Sequence, residues 1–110
     1  MTLTGFLEAA RSDAGVDLTF TVTNEGDDPV ELTFPSGFQA DFVVLNGDRE
    51  VWRWSDDRAF VQAIATETLA PGASLTFEET CPDPGEGAFV VEATLQAIDV
   101  DVSARVGLSR

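Results

Sequence analysis

The chain has no lysine, no histidine and no tyrosine, and it has a single cysteine. Without histidine there is no imidazole general base, which excludes Ser-His-Asp and Cys-His nucleophilic sites. Without lysine there is no side-chain amine for Schiff-base or Ser-Lys chemistry. A zinc site would have to be built without histidine and with one thiolate. We therefore predict a protein that is not an enzyme and that has no metal site and no cofactor.

Positive charge is also scarce, since 20 acidic residues stand against 6 basic residues, all arginine, for a net charge of -14. A lysine-free acidic surface is typical of cytosolic proteins of extreme halophiles, where molar salt screens the self-repulsion. An acidic protein of a mesophile is the alternative. No basic patch is present to displace counterions from phosphates, so we predict no nucleic-acid binding. An enzyme would need a cleft lined by carboxylates. We expect the carboxylate pairs of this chain on solvated faces instead: Asp56-Asp57, Glu78-Glu79 and Asp99/Asp101.

Long apolar runs are missing as well. No stretch approaches the roughly 20 residues of a membrane helix, and the N-terminus lacks the pattern of a secretory peptide. Cys81 has no partner for an internal disulfide, which fits a reducing compartment, and we expect its thiol to be inert, whether buried or exposed. We predict a cytoplasmic protein with no membrane association. Its 110 residues form one domain, residues 1–110, because that length suffices for one core and not for two.

Apolar residues alternate with polar residues along most of the chain, and glycine, proline and asparagine separate the alternating segments. This pattern indicates β-strands joined by turns. We predict an all-β fold, an antiparallel two-sheet immunoglobulin-like sandwich. A first segment, residues 3–10, is expected as an edge strand or as a helical turn. The other predicted strands cover residues 18–23, 30–34, 39–46, 50–54, 60–69, 75–78, 89–95 and 100–108.

The strongest turn signal is Asn46-Gly47 between two apolar segments, which predicts a β-hairpin because both residue types tolerate positive φ. The second strand of this hairpin carries both tryptophans, two positions apart. Trp52 and Trp54 therefore project from one face. They form either a buried pair that joins the two sheets or an exposed binding platform.

This hairpin resembles the BsuPI-type intracellular proteinase inhibitor family, through the letters D-F-V-V of residues 41–44 and V-W-R-W-S of residues 51–55. The likeness runs from about residue 18 to 82. It implies an immunoglobulin-like fold and a cytoplasmic inhibitor of a subtilisin-like serine proteinase, so the expected partner is an intracellular serine protease. It supplies no inhibitory motif. Further residues that carry the likeness are 22–24, 29–32, 34–37, Phe60, 62–63 and 69–75.

Three loops are candidates for the contact with a protease: residues 34–39, 55–60 and 80–87. The loop after Trp54 is preferred because two tryptophans anchor the strand before it. Arg58, Phe60 and Phe38 are the contact candidates, with Phe60 favoured because subtilisin-type pockets accept large apolar groups. The alternative is a non-catalytic protein-interaction module without inhibitory activity.

Two polar positions are given structural roles by the sequence. Asp41 is expected to cap backbone donors at the Gly37–Ala40 turn, although a functional role is the alternative. The turn that contains Asn24, Asp27 and Asp28 is expected to be a solvated turn. Calcium binding through these oxygen ligands is the alternative, which the spacing disfavours.

Overall fold

The computed structural model describes residues 3–56 and 58–109. Within these ranges the chain folds into strands and irregular loops, with no helix. There is accordingly no helix in these ranges with the length and apolar character needed to cross a bilayer. The nine strands of the described residues are β1 (Leu3–Ser12), β2 (Gly15–Asn24), β3 (Val30–Phe34), β4 (Ala40–Asn46), β5 (Arg49–Arg53), β6 (Ala65–Leu69), β7 (Ser74–Cys81), β8 (Ala88–Leu95) and β9 (Ser103–Ser109).

The strands form a three-stranded sheet in the order β1-β2-β7, a four-stranded sheet in the order β5-β4-β8-β9, and a β3-β6 pair, all antiparallel. The two larger sheets meet through a core to which Phe20 of β2 and Phe42 of β4 contribute an edge-to-face contact, with ring centroids 6.4 Å apart. The predicted antiparallel all-β sandwich is thus confirmed. Other buried core side chains are Leu7, Val16, Leu18, Val22, Leu32, Phe34, Val44, Phe89, Val91 and Leu95.

Three of the strand predictions needed correction or a choice. β1 is an edge strand of its sheet, so the helical alternative for the N-terminal segment is wrong. The strand predicted over residues 60–69 begins at Ala65, because the backbone before it turns to Gly37, whose N–H donates to the carbonyl of Val61 at 2.8 Å. The strand predicted over residues 100–108 begins at Ser103, because residues 96–98 leave the sheet to donate hydrogen bonds to residues 39 and 33.

The predicted hairpin is present as β4 and β5, but its turn lies one residue further along. Asn46 pairs with Arg49, so Gly47 and Asp48 form the loop, and Gly47 has φ of 62°. Glycine adopts this left-handed conformation without steric cost. The pairing shifts between Val44 and Leu45, which leaves Val51 as an extra residue in β5. A bulge of this kind resets which face the following side chains occupy.

Asn24 closes the corner between β2 and β3. It is fully buried, and its Nδ2 donates to the carbonyls of Asp28 and Leu69 at 2.8 and 2.9 Å, while its Oδ1 accepts from the N–H of Gly26 at 2.9 Å. Its backbone is also paired with residues 72 and 73. All the polar atoms of this amide are therefore engaged within the protein. Across residues 3–56 and 58–109, no group of three or more acidic or cysteine side chains is arranged to hold a metal ion.

Candidate functional site

An aromatic cluster lies where the hairpin strand β5 ends. Trp54 follows β5 directly, and its ring contacts Phe42 edge-to-face at 6.5 Å and Phe38 in a stacked arrangement at 6.4 Å. Phe60 lies against both partners, 4.6 Å from Phe38 and 5.7 Å from Trp54 between centroids. The structure thus brings together two of the loops that the sequence analysis selected, residues 34–39 and the loop after Trp54. We call Phe38, Trp54 and Phe60 the aromatic cluster.

Arg58 folds back over this cluster. Its guanidinium carbon lies 4.5 Å from the centroid of the Trp54 ring, and its Nε donates to the carbonyl of Trp54 at 2.6 Å. A cation above an indole face is attracted by the ring quadrupole. These contacts hold Arg58 against its own loop, while its side chain remains exposed to solvent. The Nε1 of Trp54 is buried, with no hydrogen-bond partner among the described residues.

Asp41 fixes the loop at its starting point. Its Oδ1 accepts from the backbone N–H of Phe42 at 2.9 Å and of Ser55 at 3.1 Å, and its Oδ2 accepts from the Ser55 hydroxyl at 2.9 Å. The same Oδ2 is 2.7 Å from a guanidinium nitrogen of Arg53. The predicted cap on the Gly37–Ala40 turn is therefore wrong. The donors are the N–H of the next residue, Phe42, and the N–H and hydroxyl of Ser55, which hairpin pairing brings beside Asp41.

Arg53 is clamped between two carboxylates. It pairs with Asp41, which is buried, and with Glu50 at 2.7 Å, which is solvent-exposed. Hydrogen bonds from Glu50 and Asp41 raise the pKa of the Arg53 guanidinium above its usual value, so it stays protonated. The alternation of a strand explains the sequence motif. Residues 42, 44, 52 and 54 contact the core, and residues 41 and 53 join on the outer face of the sheet.

Comparison with known families identifies the chain. The family model BsuPI, described as intracellular proteinase inhibitor, matches residues 3–100. This chain belongs to the BsuPI family. No match was found among curated proteins. The resemblance suggested by residues 18–82 is confirmed over a longer span, and membership of a proteinase inhibitor family indicates an inhibitory role with a protease as partner.

The two tryptophans of the BsuPI motif have different surroundings. Both are half-buried and contact the core, as expected for residues on one face, but neither is fully enclosed. Trp54 belongs to the aromatic cluster. Trp52 pairs with Val44 across the hairpin and lines a shallow groove with Pro82, Pro84 and Phe89. No ring contact joins the two indoles in the part of the chain that the structure describes.

The third candidate loop, residues 80–87, is held by contacts of its own. Asp83 pairs with Arg11 of β1 at 2.7 Å and accepts from the N–H of Gly85 at 2.8 Å. Cys81, which ends β7, is buried, and this burial raises the pKa of its thiol. A raised pKa disfavours the reactive thiolate, in agreement with the predicted inert thiol.

Sequence reasoning missed three exposed apolar residues that lie outside the strands. Val61 and Ile64 follow Phe60 and are 73% and 77% exposed, and Ile98 is 70% exposed. Residues 60–69 were predicted as a strand, in which the side chains of Val61 and Ile64 would point to opposite faces. The available signal was the absence of strict alternation in Val61-Gln62-Ala63-Ile64. Asp57, in the same loop, lies outside the described residues.

Proposed function

We propose that this protein inhibits a subtilisin-like serine protease of the cytoplasm by inserting the loop after Trp54 into the substrate cleft. Family membership supports the inhibitory role, and the observation that supports this loop is its attachment to the fold at several points. Asp41 binds the first residue of the loop, Ser55, and the rings of Phe38 and Trp54 contact its last residue, Phe60. A loop that is already ordered loses little conformational entropy on binding, so more of its contact energy contributes to affinity.

Phe38, Arg58 and Phe60 are the residues we assign to the protease contact. Phe60 is half-buried in the cluster, so one part of its ring holds the loop while the remainder is open to a partner. Arg58 is exposed above Trp54 and adds a cation at the same place. Subtilisin-type specificity pockets accept large apolar groups, which favours Phe60 over Arg58 as the inserted side chain.

Inhibition assays in high salt with Phe60→Ala and Arg58→Ala test this assignment. An anchor side chain of an interface typically contributes about 2 kcal/mol or more, so loss of the correct one should raise the inhibition constant roughly thirty-fold. Phe6→Ala is the matched control, because Phe6 is an exposed phenylalanine on β1. Phe60→Leu keeps a large apolar side chain but removes the ring. Together with a thermal unfolding curve of each variant, it separates loss of the contact with the protease from loss of order in the loop.

The outcomes distinguish the proposal from its alternative. If both Arg58→Ala and Phe60→Ala inhibit as well as the natural protein while their unfolding is unchanged, the contact lies in another loop. If the natural protein inhibits no serine protease from its own cells, the interaction-module alternative replaces inhibition.

A further inference from the structure

Three segments of the sequence are nearly free of charge. Residues 32–40, 58–66 and 93–98 contain no aspartate or glutamate, and Arg58 is their only charged residue. The chain has 20 acidic and 6 basic residues, so all the others lie outside these three segments. The three segments are far apart in the sequence, and nothing in their spacing requires them to meet.

The fold places these segments side by side. Phe34 of β3 pairs with Ala65 of β6, and the N–H of Gly37 donates to the carbonyl of Val61 at 2.8 Å. On the other side of the first segment, residues 96 and 98 donate backbone hydrogen bonds to the carbonyls of residues 39 and 33 at 2.8 and 3.0 Å. The first segment thus lies between the other two. We call the surface of these three segments the carboxylate-free face.

This face also carries most of the exposed large apolar side chains. Five such side chains are strongly exposed among the described residues, and three of them belong to the three segments: Val61, Ile64 and Ile98. The other two, Phe6 and Val51, lie singly on β1 and β5. Single exposed apolar residues are normal on a soluble protein, but a concentration of them marks an interaction site.

Carboxylates begin at the borders of the face. Glu31 precedes the first segment, and Glu67 lies opposite Leu32 of that segment in the β3-β6 pair. Asp41 lies opposite Thr94 of the third segment. Asp99 follows Ile98, and its carboxylate accepts from the N–H and the hydroxyl of Thr33 at 3.0 and 3.1 Å. The backbone hydrogen bond from Thr33 lowers the pKa of Asp99, so this border is charged at neutral pH.

We propose that the carboxylate-free face is the protease-binding surface, and that Ile64 and Ile98 contact the protease on either side of the central segment. This inference rests on the proposed inhibition and extends it from one loop to a surface of three segments. Its occupant is the substrate cleft of a serine protease. Desolvating a carboxylate without a partner is costly, and an interface core is depleted of charged residues. The three segments contribute no carboxylate of their own to such an interface, although the chain has a net charge of -14.

The proposal separates Ile98 from every residue of the loop after Trp54. Ile98 is 70% exposed, lies 38 positions from Phe60 in the sequence, and donates its backbone N–H to the carbonyl of Thr33 at 3.0 Å. A protease that touched only the loop would not respond to a change at Ile98. A protease that covers the whole face would respond strongly, because an aspartate there would be buried without a partner.

Inhibition of a subtilisin-type protease purified from the same cells, assayed in molar KCl, tests the face with Ile64→Asp and Ile98→Asp. We expect each substitution to raise the inhibition constant at least about tenfold. Phe6→Asp and Val51→Asp are the matched controls and should change it less than about threefold. All four positions are exposed, so the thermal midpoints should stay close to that of the natural protein.

The results separate the two proposals. If Phe60→Ala weakens inhibition and Ile98→Asp does not, the loop contact stands and the face is overturned. If the control Phe6→Asp weakens inhibition as strongly as Ile98→Asp does, long-range charge is the cause and the face is again overturned. If the natural protein is a dimer in sedimentation and Ile98→Asp is a monomer, a second copy occupies the face. A natural protein without any inhibition overturns the proposed function together with the face.

Discussion

Two corners of the molecule are each organised by one buried polar residue, Asn24 and Asp41, the two buried polar side chains of the described residues. Asn24 is neutral, and its amide bonds only backbone groups, two of them within four residues of itself. Asp41 is charged, and it binds the guanidinium of Arg53 and the backbone and hydroxyl of Ser55, 12 and 14 positions away. One corner is closed by its own turn, whereas the other depends on a distant strand end.

The difference shows how a small sandwich can keep one loop available. An amide has donors and an acceptor, so it can satisfy a tight turn without any charged partner. A buried carboxylate needs a cation and several donors, and Asp41 finds them at the point where β5 ends. The segment after Ser55 is then fixed at its start but not paired as a strand. The Asn24 corner is surrounded by carboxylates. The loop that starts at Ser55, beside Asp41, leads to the carboxylate-free face.

The largest effect on this comparison is expected from Asp41→Ala. The substitution removes charge-assisted hydrogen bonds to Arg53 and Ser55, and it should lower the free energy of unfolding by about 2–4 kcal/mol. Asp41→Asn keeps an acceptor but not the charge, and it should lose about half as much. Denaturant unfolding in high salt measures both. Glu50→Ala is the control, since Glu50 is an exposed partner of the same Arg53 and should cost less than about 1 kcal/mol.

The Asp41 result has a second readout in inhibition. If Asp41 orders the loop, the affinity of Asp41→Ala for the protease should fall even at temperatures where the protein remains folded, because binding must then order the loop. A variant that is destabilised but binds as well as the natural protein would show that Asp41 stabilises the sheet without ordering the loop.

A smaller effect is expected from Asn24→Ala. The substitution leaves the buried carbonyl of Leu69 and the N–H of Gly26 without their partner, so the free energy of unfolding should fall by about 1–3 kcal/mol. Inhibition by the folded variant should be unchanged, in contrast to Asp41→Ala. Asp28→Ala is the matched control, because Asn24 bonds the backbone carbonyl of Asp28 and not its side chain. Equal losses in both variants would contradict the assigned role of the amide.

The strand content was predictable because alternation is a local property. Leu18, Phe20 and Val22 point inward in β2 as their spacing predicts. The prediction failed where distant hydrogen bonds compete with strand pairing. Residues 60–64 were assigned to a strand, but Phe60 joins the aromatic cluster and Val61 binds Gly37 instead. A single sequence does not show such contacts, because they depend on which loops the fold brings together.

The candidate site was predictable only in part, for the same reason. Phe38 and Phe60 were selected because they lie in loops, and the structure places them in contact. Asp41 was assigned a structural role, but its hydrogen-bond partners were placed in the preceding turn, because Ser55 is distant in sequence. Ile98 was assigned to no site, since one apolar residue between alternating segments has no distinctive pattern. Its meaning depends on the acid-free segment that the fold places beside it, through the hydrogen bond of its N–H to Thr33.

The smallest effect per residue concerns salt, and it compares the Asn24 corner with the carboxylate-free face. Repulsion among the acidic side chains should weaken at high ionic strength, so the thermal midpoint should climb from dilute buffer into molar KCl. Asp27→Asn with Asp28→Asn should make that climb shallower, and Ile98→Asp should make it no shallower, because it adds a charge. Each exposed charge contributes less than about 1 kcal/mol.

A thermal midpoint that does not change with KCl would contradict the predicted halophilic character and leave the fold unaffected. Saturation at millimolar calcium would instead indicate ion binding at the Asn24 corner, which screening does not produce.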